Sequence, residues 1–302
     1  MKRLKIVFGL LFVTTAVLAQ VHTISTPRFT RPLVEKWVEE YKKVAPNVHF
    51  QILKGCNNTE ESDLSILPFN KTVEDAPNVV FFARYAILPF TAKGSEAEQI
   101  LNNKKLSNKR LRNIFFEHED YASDEELTKL EKRQKKLVVY SANNPVSLSV
   151  PFAGFFDEET ESLRGRRIAG DDAFLTAAVE KDPLGVSFGA LSNIFDLDSR
   201  HLKNGLSLPI LDTRKELEDG FRNLVTLDVL IQLLEQGPTE EVPIGRVGVY
   251  FKGISKEIDD FLSWVLTDGR TLAHEYGLLK IEQQLADKQK AKIEAVYTAQ
   301  RK

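Results

Sequence analysis

The chain has 302 residues, 42% of them hydrophobic and 28% charged, with 41 Lys plus Arg against 43 Asp plus Glu and a formal net charge of −2. That balance excludes collagen-like, mucin-like and disordered classes, and it leaves no global basic field to hold nucleic acid or an anionic membrane. The length predicts about two domains, because single cores stop growing beyond roughly 250 residues.

At the N-terminus, Lys2, Arg3 and Lys5 precede an apolar run from Ile6 to Leu18, and Val17 and Ala19 supply small side chains at the −3 and −1 positions of a cleavage site. Residues 1–19 therefore read as a secretory signal peptide. The run is shorter than the ~20 residues that span a bilayer. The expected product is a periplasmic protein with no direct membrane insertion after cleavage. Cys56 is the single cysteine, so neither an intramolecular disulfide nor a lipid anchor at a processed N-terminal cysteine is available. No His lies near it in sequence, and it reads as a small packed residue rather than a nucleophile.

Residues 21–25 form a β-prone run, and Leu33, Val34, Trp37, Val38, Tyr41 and Val44 recur at three and four residues, which predicts an amphipathic helix over 32–44. Residues 48–53 alternate as a strand, and 63–67 read as the next. Continuous apolar runs at 79–82 and 86–90 suit strands buried on both faces. A helix is expected over 107–116 with Ser107 as N-cap. The charged stretch 123–136 reads as a solvated helix or an inserted loop.

Further on, 137–140 and 185–188 read as strands, 171–179 as a helix and 213–236 as mainly helical. Residues 243–251 are expected to be extended, 255–267 helical, and 281–300 a terminal amphipathic helix. Strands alternate with helices throughout, so the expected class is α/β.

The five histidines, His22, His49, His118, His201 and His274, fall at none of the spacings that gather zinc, so no metal site is expected. There is no Gly-x-Ser-x-Gly elbow, no Walker glycine loop and no Gly-x-Gly-x-x-Gly fingerprint. The acids Asp157-Glu158-Glu159 sit in an irregular polar stretch, and Asp171 and Asp172 sit where carboxylates favour a helix start. No covalent chemistry and no cofactor are expected.

Four stretches carry a resemblance. They are ISTPRFTRPLVEKWVEEYKKVAPNV from Ile24, ARYAILPFTAKGSEAEQILNNKKLSNKRLRNIFF from Ala83, GDDAFLTAAVEKDPLGVSFGAL from Gly170 and FLSWVLTDGRTLAHEYGLL from Phe261. In this order they resemble the type II periplasmic solute-binding proteins, most closely the phosphate-binding components of uptake transporters. The resemblance implies a two-lobed α/β fold with two crossovers and a ligand cleft between the lobes. Lobe 1 would comprise residues 20–92 and 246–302, and lobe 2 residues 93–245, hinged near 91–93 and 245–247.

The resemblance also implies a small-molecule or oxyanion ligand and membrane transporter subunits as partners. Ser25, Thr26 and Thr30 match the first ligand loop, and they equally suit capping of the first helix. Asp63 and Ser65 lie near the position of a proton-accepting acid, and Asp63 reads equally as a structural acid. Arg84, between apolar runs, needs either a carboxylate or a ligand as partner. In the second lobe the family's Arg and Ser-Gly-Thr are replaced by Tyr140-Ser-Ala-Asn-Asn-Pro-Val-Ser-Leu-Ser149, where Ser141, Asn143, Ser147 and Ser149 remain as neutral donors. Two readings stand: a solute-binding protein, or a non-enzymatic envelope interaction protein that kept the fold and lost the ligand.

Overall fold

The computed structural model describes residues 21–54, 61–70, 76–117, 128–144, 146–170, 172–237, 239 and 241–300. The expected signal peptide, Cys56, His118, Asp171 and the first part of the charged stretch lie outside the described residues. In chain order the elements are β1 (Val21–Ser25), α1 (Arg31–Val44), β2 (His49–Ile52), β3 (Leu64–Phe69), β4 (Val79–Ala92), α2 (Glu96–Asn102), α3 (Asn108–Phe115) and α4 (Lys129–Gln134). They continue as β5 (Val138–Ala142), α5 (Ser149–Phe155), β6 (Arg166–Ile168), α6 (Ala173–Lys181), β7 (Gly185–Ala190), α7 (Leu191–Ile194) and β8 (Leu206–Ser207). The chain finishes with α8 (Lys215–Arg222), α9 (Leu227–Glu235), β9 (Ile244–Phe251), α10 (Lys256–Val265), β10 (Leu279–Lys280) and α11 (Gln283–Gln300).

The two apolar runs expected as separate strands are one 14-residue strand, β4, and that strand organises the molecule. Its first half pairs antiparallel with β9 and β10, as far as Ala86 opposite Ile244. From Ile87 onward it pairs antiparallel with β7 and then with β8. The order β2-β1-β3-β9-β4-β7-β5-β6 thus joins two half-sheets through β4. Within each half the βαβ units are parallel: β1 with β2 and β3, and β5 with β6 and β7. The return crossing lies beside the outward one, since Ile87 N–H donates to the Pro243 carbonyl at 2.8 Å.

Helix α1 forms where its sequence predicts. Pro32 falls in the first turn, where no intrahelical N–H is needed, Lys42 and Lys43 face the negative C-terminal end, and Leu33, Val34, Trp37 and Tyr41 are buried. The Trp37 indole N–H donates to the Gly269 carbonyl at 2.8 Å, and its ring meets Phe82 edge-on at 4.6 Å. In the second half Phe152 stacks on Phe188 at 3.9 Å, with Phe115 and Phe156 around them. Truncating such a ring to Ala costs about 3–5 kcal/mol. The buried apolar residues form one connected cluster that runs from one half to the other.

Caps set the boundaries. Ser107 accepts from the Arg110 amide as expected, and Ser95 does the same for the Glu98 amide, opening α2, which the periodicity missed. The described end of the charged stretch is a short helix, α4, closed by a reciprocal capping box between Thr128 and Glu131. The 213–236 region is two helices and not one, because Leu224 adopts φ +46 between them.

Candidate ligand site

The first-lobe hydroxyls come from the end of β1 and the turn before α1. Thr26 and Thr30 are buried with their Oγ1 atoms 2.9 Å apart, and each hydroxyl also lies within reach of the Pro27 carbonyl. Thr30 occupies the N-cap position of α1 but makes no side-chain bond to a helix amide. Ser25 is buried in register with Ser65, whose hydroxyl is 2.8 Å from that of Ser62. Asp63 Oδ2 accepts from the Thr23 amide at 2.7 Å and from its hydroxyl at 2.8 Å, so the carboxylate bridges β1 and the start of β3.

Phe29 sits among these residues, 2% exposed, with its ring 5.5 Å from Tyr85. The structure therefore turns these polar groups on one another and buries an aromatic ring beside them.

The second-lobe residues do come together. Ser141, Asn143, Ser147 and Ser149 line a hollow of about 310 Å³ whose far wall carries Thr160, Glu161 and Arg167. The end of β5 and the start of α5 hold this wall. The Ser147 and Ser149 hydroxyls donate to the Ala142 carbonyl at 3.4 and 3.0 Å, the Asn143 amide donates to the Ile168 carbonyl, and Asp172 Oδ2 accepts from the Leu148 amide at 3.1 Å. With their protons on Ala142, the two serine hydroxyls keep lone pairs that can accept from a ligand. Arg167 donates to the Thr160 carbonyl at 3.0 Å. The Glu161 carboxyl is held below the usual range by its own backbone amide and by the Thr160 hydroxyl. The hollow thus has one cation, one carboxylate and several neutral groups.

Two smaller hollows flank the crossover. One, of about 220 Å³, lies between Tyr85 and Ile87 on β4, Pro243 on the return crossing and Phe155 and Asp157 of the second lobe. The other, about 90 Å³, shares Phe155 and Ile244 with it and is lined by Arg84, Arg246, Thr239 and Glu282. Arg84 is here, away from the hydroxyls: its Nε donates to the Lys280 carbonyl at 2.7 Å and Nη1 lies 3.5 Å from Glu282. Ser25, Thr26, Thr30, Asp63 and Ser65 line none of these three hollows.

Sequence reasoning missed Arg167, Glu161 and Arg246. Arg246 carried a signal, as the sole charge within the extended apolar stretch 243–251. Arg167 carried none, since its place depends on β6 lying beside β5.

Among solved structures, the chain is similar to a protein assigned as a phosphate ABC transporter substrate-binding protein, with bound phosphate, from Clostridium perfringens. The TM-score is 0.59 at 14% identity, over 87% of this chain and 100% of that one. It is similar also to an ABC-type phosphate transport receptor from Vibrio cholerae, with TM-score 0.55 at 10% identity over 86% and 100% of the two chains. The chain has the two-lobed periplasmic-binding-protein fold. No family model and no curated protein matches it.

The half-sheet of β2, β1, β3 and β9 and that of β7, β5 and β6 meet at β4, which pairs with both. Among the described residues no group of His, Cys, Asp and Glu is arranged to hold a metal ion, and no helix is long and apolar enough to cross a membrane.

Proposed function

We propose that the protein is an exported solute-binding protein that captures a small ligand without covalent chemistry and presents it to membrane transporter subunits. Its lobes are residues 20–92 with 246–302, and 93–245, and residues 1–19 are a cleaved leader. The observation that carries the reading is the second-lobe hollow. Ser141, Asn143, Ser147, Ser149 and Arg167 converge there on a fold similar to that of phosphate transport receptors. Its mixed lining, with hydroxyl lone pairs and a carboxylate beside a single guanidinium, suits a ligand that donates as well as accepts hydrogen bonds.

Thermal unfolding against a panel of oxyanions, sugars, amino acids and metal ions tests this. A ligand at 100 times its Kd stabilises by about 2.7 kcal/mol, and the rise in midpoint disappears in Arg167→Ala and Ser149→Ala if the hollow is the site.

A second reading, an envelope interaction protein that kept the fold and lost the ligand, draws on specific observations. Phe29 is buried beside the first-lobe hydroxyls with its ring against Tyr85, Thr26 and Thr30 bond to each other, and the apolar core forms one connected cluster. No thermal response to the whole panel, together with co-purification of an envelope protein, selects it.

A further inference from the structure

We propose that Arg84 and Arg246 form a binding site for a small inorganic oxyanion at the crossover, separate from the second-lobe hollow and independent of the ligand taken there. The antiparallel register of β4 and β9 sets Arg84 directly opposite Arg246. Directly opposed like charges destabilise a ladder, so such a pair calls for compensation. The compensation is incomplete. Glu282, whose side chain is 60% exposed, lies 3.5 Å from Arg84, whereas Arg246 has no carboxylate within ion-pair distance among the described residues. The Arg246 guanidinium rests 5.6 Å from the centre of the Phe81 ring, which is attraction without charge neutralisation.

Two guanidinium groups and one carboxylate leave the hollow between them with a net positive charge. Its volume of about 90 Å³ has room for one phosphate or sulfate. Guanidinium forks match the oxygen geometry of such anions, and the Thr239 hydroxyl in the same wall offers a further donor. Apolar walls from Phe155, Val242 and Ile244 lower the local dielectric and strengthen the attraction. Glu282 is the competitor for Arg84, and as an exposed ion pair it is cheap to displace.

Location gives the site a consequence. Arg84 stands two residues before Ala86, where β4 leaves β9, while Phe155 comes from α5 of the other lobe. An anion held by the arginines and enclosed by Phe155 ties α5 to the crossing strands and favours one relative placement of the lobes.

Titration calorimetry of the purified protein with inorganic phosphate, and separately with sulfate, at low ionic strength tests the assignment. The unsubstituted chain should bind one anion at this site. Arg246→Gln should weaken binding at least tenfold, Arg246→Lys should lose part of it, and Glu282→Gln should tighten it. Lys256→Gln removes the same charge from an exposed helix and should bind as the parent does. Unliganded melting curves confirm that each variant is folded. Equal binding by the parent and a folded Arg246→Gln chain overturns the proposal, as does the absence of any heat with either anion. The solute panel remains readable in Arg246→Gln, so a failure here leaves the second-lobe reading standing.

Discussion

The Ser192 hydroxyl donates to the Phe29 carbonyl at 2.8 Å, joining the start of α7 to the turn ahead of α1, 163 positions away in sequence. The same residue presses its ring against Tyr85 on the crossing strand, so Phe29 fixes the seam by backbone and side chain together. Phe29→Ala is expected to cost about 3–5 kcal/mol as a buried aromatic truncation. Ser192→Ala should cost about 1 kcal/mol, the net worth of one hydrogen bond. Denaturant unfolding separates the two. A Phe29→Ala chain as stable as the parent would show that the ring is not what closes the seam.

Gly245 lies at the return crossing, where a Cβ would run into the Tyr85 hydroxyl and the Phe69 carbonyl. One of these is backbone and the other is the tip of a buried phenol, so neither gives way easily. Gly245→Ala should lower stability by about 1–3 kcal/mol through overpacking, read as a fall in melting temperature. Gly253→Ala, which meets no atom within 4 Å, is the matched comparison and should leave the midpoint within a degree or two.

Glu235 links α9 to β10 and the segment before it: Oε1 lies 2.9 Å from His274 Nε2 and accepts from the Lys280 amide at 2.6 Å. Burial alone would raise the Glu235 carboxyl, but its bonds to His274 and the Lys280 amide outweigh that and hold it below the usual range. A depressed folded value adds stability that is fully present above the unfolded value of about 4.3 and is lost as pH falls through the folded value. Between pH 6 and 3, the unfolding free energy of the parent should therefore fall more steeply below about pH 4.3 than that of Glu235→Gln. Identical slopes would remove Glu235 from the acid response.

Trp37→Phe keeps an aromatic ring against Phe82 and removes the donor to the Gly269 carbonyl. The cost should be about 1 kcal/mol, the net worth of one hydrogen bond, measured as a lower denaturant midpoint with an unchanged slope.

Much of the fold was legible in the residues. The helix expected at 32–44 is Arg31–Val44, and that expected at 255–267 is Lys256–Val265, because a strong apolar stripe acts within a few residues of a local start signal, Pro32 in the first and the capping Ser255 in the second. Helix α5 was not legible. Its seven residues, SVPFAGF, carry no charge and hold both a Pro and a Gly, so no apolar stripe stands out against a polar face, and only the fold packs Phe152 against Phe115, Phe116 and Phe188. Nor did two apolar runs reveal that they were one strand, because the residues between them, Arg84 included, read as a break until β9 and β10 supply pairing partners on either side.

Local chemistry determined by itself the alternation of strands and helices, the capped helix starts and the clustering of Ser141, Asn143 and Ser147. These depend on residues only a few positions apart and on interactions of that range. Tertiary structure alone decided which polar groups meet one another and which meet solvent. It set Arg84 opposite Arg246 and brought Arg167 to the second-lobe serines. Such pairings depend on strand register between segments tens to hundreds of positions apart, and no short-range pattern encodes those distances.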